Sequence, residues 1–182
     1  MSPIHYKLES LLIREISRQS SAEVELVARR MQATLIEVEG EDNATRLHSL
    51  DWIRERVCWH LHNPKVCGKV LLATIGAGDI IGHTILRREC DTGAADFGLI
   101  STTYVLPEFR RLGVGERLLM VGEAWFKALG LSRSSTWTSA MNTKLIRLCE
   151  KHGYAITDQA RHDVTATLMV NLTKQLFHGS SA

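Results

Sequence analysis

The chain has 182 residues, a formal net charge of +2 and 23% charged residues, values that are ordinary for one globular domain. The near-neutral charge, without a clustered run of Lys and Arg, argues against a nucleic-acid or membrane partner. No apolar run approaches the roughly 20 residues that span a bilayer, and residues 1–12 lack a signal-peptide pattern. We therefore expect a cytoplasmic protein.

The four cysteines are widely spaced and form no CxxC pair, which favours free thiols over a disulfide framework. Cys58, His60 and His62 are of the residue types that bind zinc. They fall at a probable helix end, where positions two apart point in different directions. We therefore expect no metal site.

The first half of the chain predicts a strand, two helices and a β-hairpin. In order, these are a strand at 11–16, a helix that starts after Ser20 and runs to Val38, a helix at 47–61, and hairpin strands at 70–75 and 80–86. Ser20 and Glu23 match the capping-box pattern of a helix start. An acidic connection containing Glu37, Glu39, Glu41 and Asp42 joins the two helices.

The second half alternates strands and helices. A strand at 95–105 leads to a helix that ends at Gly130, a strand at 132–138, a helix from Asn142 to His152, and strands at 154–156 and 164–172. The resulting order is β-α-α-β-β-β-α-β-α-β-β, which predicts an α+β fold with helices around a mixed sheet.

A glycine-containing turn at residues 107–116 lies between the predicted strand and the next helix. The first four N–H groups of a helix lack partners within the helix, and the helix dipole adds about half a positive charge there. Gly113 and Gly115 remove side chains that would keep a ligand from the main chain. The turn therefore predicts a site for phosphate or pyrophosphate.

This turn resembles the acyl-CoA loop of the GNAT superfamily of N-acetyltransferases, whose pattern is Arg or Gln, x, x, Gly, x, Gly or Ala. Residues 110–115 match that pattern, Pro107 precedes it, and residues 142–154 resemble the superfamily's later asparagine-containing helix. The resemblance implies a GNAT-like mixed, mostly antiparallel central sheet flanked by helices. It also implies a single N-acetyltransferase domain over residues 1–182, with a core at about 10–173.

The resemblance further implies acetyl-CoA as co-substrate. Backbone amides of residues 111–115 would hold the pyrophosphate, and a strand that diverges from 132–138 would pair with the pantetheine arm. The implied cofactor-binding residues are Tyr104, Val105, Arg110, Arg111, Leu112, Gly113, Val114, Gly115 and Asn142. Arg110 could instead face the protein while Arg111 meets a phosphate, and the sequence leaves this open.

The expected chemistry is direct attack of an amine on acetyl-CoA, without an acyl-enzyme. An amine with a pKa near 10 must lose a proton, and the leaving thiolate must gain one. Cys149 stands where the superfamily often has a tyrosine that acts as the general acid. It is therefore a candidate for protonating the thiolate, with solvent as the alternative. Asp96 and His83 are the candidate bases, and a backbone N–H near Val105 would stabilise the oxyanion.

A small-molecule amine is the expected acceptor. The acidic connection would attract a cationic amine, or it is simply a solvated turn. A peptide or protein N-acetyltransferase and a non-catalytic acyl-CoA-binding module are the alternatives. A homodimer is plausible from the Trp-bearing surface helices.

Overall fold

A computed structural model describes residues 10–90 and 95–177, and its strands form one sheet in the order β1-β2-β3-β4-β5-β7-β6. The strands are β1 (Leu12–Glu15), β2 (Gly68–Ile75), β3 (Asp79–Glu89), β4 (Phe97–Val105), β5 (Arg133–Ser139), β6 (Ala155–Arg161) and β7 (Leu168–Gln175). The helices are α1 (Ser21–Glu39), α2 (Glu41–Leu47), α3 (Leu50–His62), α4 (Val114–Ala128) and α5 (Thr143–Lys151), with a 3-10 turn at Pro107–Phe109. The predicted α+β fold is confirmed, with α2 as an additional helix.

The sheet is mixed because β4 and β5 run parallel while the other neighbours are antiparallel. The β4–β5 register pairs Gly98 with Ser134 and Leu99 with Ser135. One step further, Thr136 Oγ1 donates to Ile100 O at 2.8 Å. Beyond this point no β4–β5 pairing is recorded in the described residues, so the carboxyl end of β4 lies at an opening in the sheet.

Apolar side chains pack on both faces of the sheet. One cluster joins Val27 of α1 and Val57 of α3 to β2 and β3. The other joins α4 and α5 to the opposite face and contains Phe126, which is fully buried. A Cβ on Gly98 would overlap the Phe126 ring, so a glycine in β4 lets α4 lie close to the sheet.

Two serine caps set the starts of α1 and α3. Ser20 Oγ accepts from Glu23 N–H at 3.2 Å, as the capping-box pattern predicts. The Glu23 carboxylate accepts from Ser17 N–H at 2.8 Å and from Arg14. The Ser20 N–H donates instead to Ser17 O, so the second hydrogen bond of a capping box is not formed. Ser49 Oγ accepts from Trp52 N–H at 3.2 Å, so α3 begins at Leu50 and the predicted start at residue 47 is wrong.

The predicted acidic connection is helical on both sides of Gly40, because Glu37 and Glu39 lie in α1. Gly40, with φ of 80°, ends α1, and α2 begins directly at Glu41. Glu41 and Asp42 lie in the first turn of α2, where the helix dipole favours negative charge. The acidic residues that suggested a loop therefore stabilise a helix start.

The last two strands are displaced from their predicted positions. β6 extends to Arg161 and is exposed along its whole length, so it lacks the apolar alternation that marks a strand. β7 begins at Leu168, and residues 164–167 belong to the β6–β7 connection. Within the described ranges, no helix combines the length and apolar character needed to cross a membrane.

Candidate functional site

A cavity of about 420 Å³ lies at the carboxyl end of β4, where the sheet opens. α1 contributes Thr34 and Glu37 to its wall, and β4 contributes Tyr104 and Val105. Parts of the segments 110–116 and 142–151 complete it. The fold thus brings the glycine-containing turn, the end of β4 and the asparagine-containing helix to one place.

The turn before α4 has the backbone geometry of an anion site. Arg111 has φ of 62° and Gly113 has φ of 84°, so two residues in three are left-handed. The first recorded bond of α4 runs from Arg117 N–H to Gly113 O at 2.9 Å, so the preceding amides have no acceptor within the helix. A Cβ on Gly113 would meet nothing within 4 Å, which leaves room for a ligand.

The other glycine of the turn has a different neighbour. A Cβ on Gly115 would lie 3.2 Å from Leu148 Cδ2, so this glycine allows α4 and α5 to pack closely. Val114 is 1% exposed and packs in the core. Leu112 and Val114 do not line the cavity, whereas Arg110, Arg111, Gly113 and Gly115 do.

The two arginines of the turn have different surroundings. The guanidinium of Arg110 binds both oxygens of Glu37 at 2.8 Å, and its Nε donates to Val105 O at 2.9 Å. Arg111 is exposed, and no described carboxylate pairs with it. The structure thus directs the side chain of Arg110 toward the protein.

Glu37 connects α1 to two cations. Its hydrogen bonds with Arg110, and then with Lys144, lower the pKa of its carboxyl to about 2. Lys144 of α5 contacts Glu37 through Nζ. No sequence pattern pointed to Lys144, because α1 and α5 are far apart along the chain.

Asn142 lines the cavity and also fixes the start of α5. Its Oδ1 accepts from Leu145 N–H at 3.3 Å, and its Nδ2 donates to Thr138 Oγ1 at 3.0 Å. The side chain therefore holds the helix start against β5.

Tyr104 forms part of the wall and is packed among cations. Its ring stacks on His83 with centroids 5.8 Å apart, and the Arg30 and Arg110 guanidinium carbons lie 5.5 and 5.9 Å from its centroid. Arg30 is 8% exposed and donates to Ile80 O at 2.6 Å. A buried arginine in α1 was not predicted, because its neighbours suggested an apolar stripe.

Cys149 does not face the cavity. It is 1% exposed and packs in the core cluster on the α4 side of the sheet. Burial, with smaller contributions from Glu123 and Glu150, raises the pKa of its thiol to about 12. Such a thiol is a much weaker acid than that of an exposed cysteine.

The two candidate bases also lie outside the cavity. His83 is fully buried, its ring nitrogens have no hydrogen-bond partner in the described structure, and burial followed by Arg30 lowers its pKa to about 3. Asp96 precedes β4, at the end opposite Tyr104, and Arg88 holds the pKa of its carboxyl below the ordinary value. The structure does not bring these residues together with the turn.

The acidic residues near the end of α1 are partly engaged. Glu37 is bound as described, and Glu39 accepts from Thr167 Oγ1 at 2.5 Å.

Across residues 10–90 and 95–177, no group of three or more His, Cys, Asp or Glu side chains is arranged to hold a metal ion.

Solved structures with the same fold include one bound to a peptide and one bound to spermine. The NatC complex bound to Gag peptide and CoA matches with a TM-score of 0.72 and 14% identity, over 92% of this chain and 99% of that chain. Ard1 from Thermoplasma volcanium matches with a TM-score of 0.69 and 19% identity, over 93% and 99%. Spermidine N-acetyltransferase from Vibrio cholerae, in complex with CoA and spermine, matches with a TM-score of 0.67 and 13% identity, over 92% and 96%.

The sequence comparisons name the family. No curated protein sequence gives a significant match. The sequence model of the acetyltransferase (GNAT) family matches residues 28–154, which run from within α1 through β2–β5 and the turn at 110–115 to the end of α5. The chain therefore belongs to the acetyltransferase (GNAT) family.

Proposed function

We propose that the chain is an N-acetyltransferase that transfers the acetyl group of acetyl-CoA to the amine of a small molecule, by direct attack in a ternary complex. The proposal rests on the joining of an open, left-handed turn at a helix N-terminus to the carboxyl end of β4, which pairs with β3 but not with β5. Bound acetyl-CoA supplies an acetyl thioester that an amine can attack. Family membership supports the same class of reaction.

The residues present fit this co-substrate. The amides of residues 111–115 and the open space at Gly113 suit its pyrophosphate, and the exposed side chain of Arg111 adds a cation. The main chain of Tyr104 and Val105, beyond the β4–β5 pairing, suits the pantetheine arm. Arg110 serves to hold Val105 and α1 in place, and Asn142 holds α5.

Proton transfer in this proposal depends on solvent. Cys149 and His83 are buried away from the cavity, and Asp96 lies at the other end of β4. An amine near pKa 10 is mostly protonated at neutral pH, so the reactive fraction rises with pH. A backbone N–H near Val105 would stabilise negative charge on the carbonyl oxygen.

The acceptor is proposed to be a small amine because the similar Vibrio cholerae structure contains spermine. Steering by the acidic residues is weaker than their number suggests, since Glu37 is neutralised by Arg110 and Lys144. A peptide amine is the second candidate, because the similar NatC structure contains a Gag peptide.

A thiol-release assay tests the proposal. The full chain is incubated with acetyl-CoA and polyamines, amino acids, or peptides with free or blocked N-termini. We expect amine-dependent release of coenzyme A that is fastest with a free small amine. Faster release with free N-terminal peptides would favour the second candidate. Calorimetric binding of acetyl-CoA without release across the panel would favour a non-catalytic acyl-CoA-binding module.

We also propose that the protein acts in the cytoplasm as a homodimer. Its four cysteines are free thiols, which suits a reducing compartment. Trp52 of α3 is 44% exposed and could contribute to an interface. Analytical ultracentrifugation tests the dimer, and a monomer at micromolar concentration would contradict it.

A further inference from the structure

An ion cluster joins three segments that line the cavity. Glu37 of α1 binds the Arg110 guanidinium through both oxygens, at 2.8 Å each. Lys144 of α5 contacts the oxygen that also accepts from Arg110 Nη1. One carboxylate therefore lies between two cations, at the site proposed for coenzyme A.

The two cations are held unequally. Arg110 has a second anchor at Val105 O, and its side chain is 25% exposed. The side chain of Lys144 is 69% exposed, and Glu37 is its one ion-pair partner among the described residues. An ammonium on a flexible stem changes partners more readily than a guanidinium in a bidentate pair. Lys144 is therefore the cation that Glu37 can release.

The place of Lys144 in α5 favours an anionic partner. Lys144 is the second residue of this nine-residue helix, where the dipole opposes a positive charge. In the structure, the carboxylate of Glu37 offsets that positive charge. A phosphate group at the same place would offset it equally well.

The other cations of the cavity do not complete a phosphate site. Lys151 is paired with Glu116 at 2.9 Å, and Arg110 with Glu37. This leaves Arg111, together with the amides of the turn, to face the pyrophosphate and the 3′-phosphate of coenzyme A. Lys144 lines the same cavity, and as a second cation with an exposed side chain it would neutralise phosphate charge that Arg111 leaves uncompensated.

We propose that Lys144 is a phosphate ligand for coenzyme A, which Glu37 holds until the cofactor binds. Lys144 then exchanges the carboxylate for a phosphate, while Glu37 stays on Arg110. This inference rests on the proposed function, because it concerns the same co-substrate.

Calorimetric titration of the full chain with coenzyme A tests the exchange. We expect Lys144→Met to weaken binding about 5- to 10-fold, the size expected for one charge-assisted hydrogen bond. Lys127→Met is the matched control, since Lys127 is exposed in the last turn of α4, at the end opposite the turn, and we expect it to leave binding unchanged. Equal binding by both variants, or tighter binding by Lys144→Met, would overturn the proposal.

Titration with 3′-dephospho-coenzyme A identifies the phosphate. A loss that Lys144→Met shows with coenzyme A but not with the dephospho form assigns the 3′-phosphate. An equal loss with both assigns the pyrophosphate. Either result supports the exchange.

A Glu37→Gln background tests the competition itself. Without the carboxylate, Lys144 is free before binding, so Lys144→Met should cost more affinity than in the wild-type chain. A smaller loss in this background would overturn the exchange, because Glu37 would then be orienting Lys144 toward the ligand. Thermal melts of each variant verify folding. If the wild-type chain binds no coenzyme A, the proposed function fails, whereas binding that is insensitive to Lys144 rejects this inference alone.

Discussion

The turn at residues 110–115 and the three candidate proton-transfer residues differ in what determines their role. The turn acts mainly through its main chain, whose conformation is set by nearby residues such as Gly113. Cys149, His83 and Asp96 would act through side chains, whose positions depend on which sheet or helix face is covered. A main-chain binding site can therefore be predicted from a short motif, whereas the position of a side-chain catalyst depends on the completed fold.

The largest effect is expected at Gly113. Gly113→Val forces a β-branched residue to φ of 84° and fills the open space of the turn. We expect coenzyme A binding to weaken more than about 10-fold, with a loss of stability of about 1–3 kcal/mol from backbone strain. Calorimetry and thermal melting measure the two effects.

Gly130→Val provides the matched control, because Gly130 has φ of 74° and equally open surroundings just beyond the other end of α4. It should lose similar stability and keep its affinity for coenzyme A. Equal losses of affinity in the two variants would mean that the turn acts through stability alone.

A smaller effect separates the two arginines of the turn. We expect Arg111→Met to weaken coenzyme A binding about 3- to 10-fold without changing the melting temperature, because its side chain is exposed and unpaired in the described structure. Arg110→Met should instead lower stability by about 1 kcal/mol, since it breaks a partly exposed bidentate pair and a bond to Val105 O. The opposite assignment of the two effects would contradict the orientation of Arg110.

The candidate acid should have little effect on catalysis. Cys149→Ala is expected to leave kcat with the best amine within about twofold, because its buried thiol has a pKa raised to about 12. Steady-state kinetics across pH 6–9 measure this. A fall in kcat of tenfold or more, with an unchanged melting temperature, would restore Cys149 as the acid and remove the contrast with the turn.

The smallest effect concerns the pH dependence of Glu37. Its folded pKa of about 2 lies below the ordinary value of 4.5, so its stabilising contribution is complete above about pH 4.5 and is lost as the pH falls toward 2. Carbon-detected NMR should show a midpoint near 2 that rises in Arg110→Met. Urea melts should show the stability difference between the wild-type chain and Glu37→Gln shrinking from pH 5 to pH 3. A midpoint near 4.5 in the wild-type chain would mean that the ion cluster does not form in solution.

Local sequence patterns predicted most of the elements, and the errors have local causes too. Ser20 and Gly130 marked a helix start and a helix end that the structure contains. The apolar periodicity predicts a start of α3 that is too early, because it extends past the Ser49 cap. β6 was predicted too short because its exposure removes the alternation on which strand prediction depends.

The candidate site also contains features that local sequence patterns predict and features that they do not. Local patterns were sufficient to predict the fold class and the turn, because glycines, helix caps and periodic apolar residues act on their immediate neighbours. Three features depend on long-range packing: Arg110 faces Glu37, Lys144 shares that carboxylate, and Cys149 and His83 are buried. These contacts join residues far apart in the chain, and they form only when α1, β4 and α5 pack around one opening in the sheet.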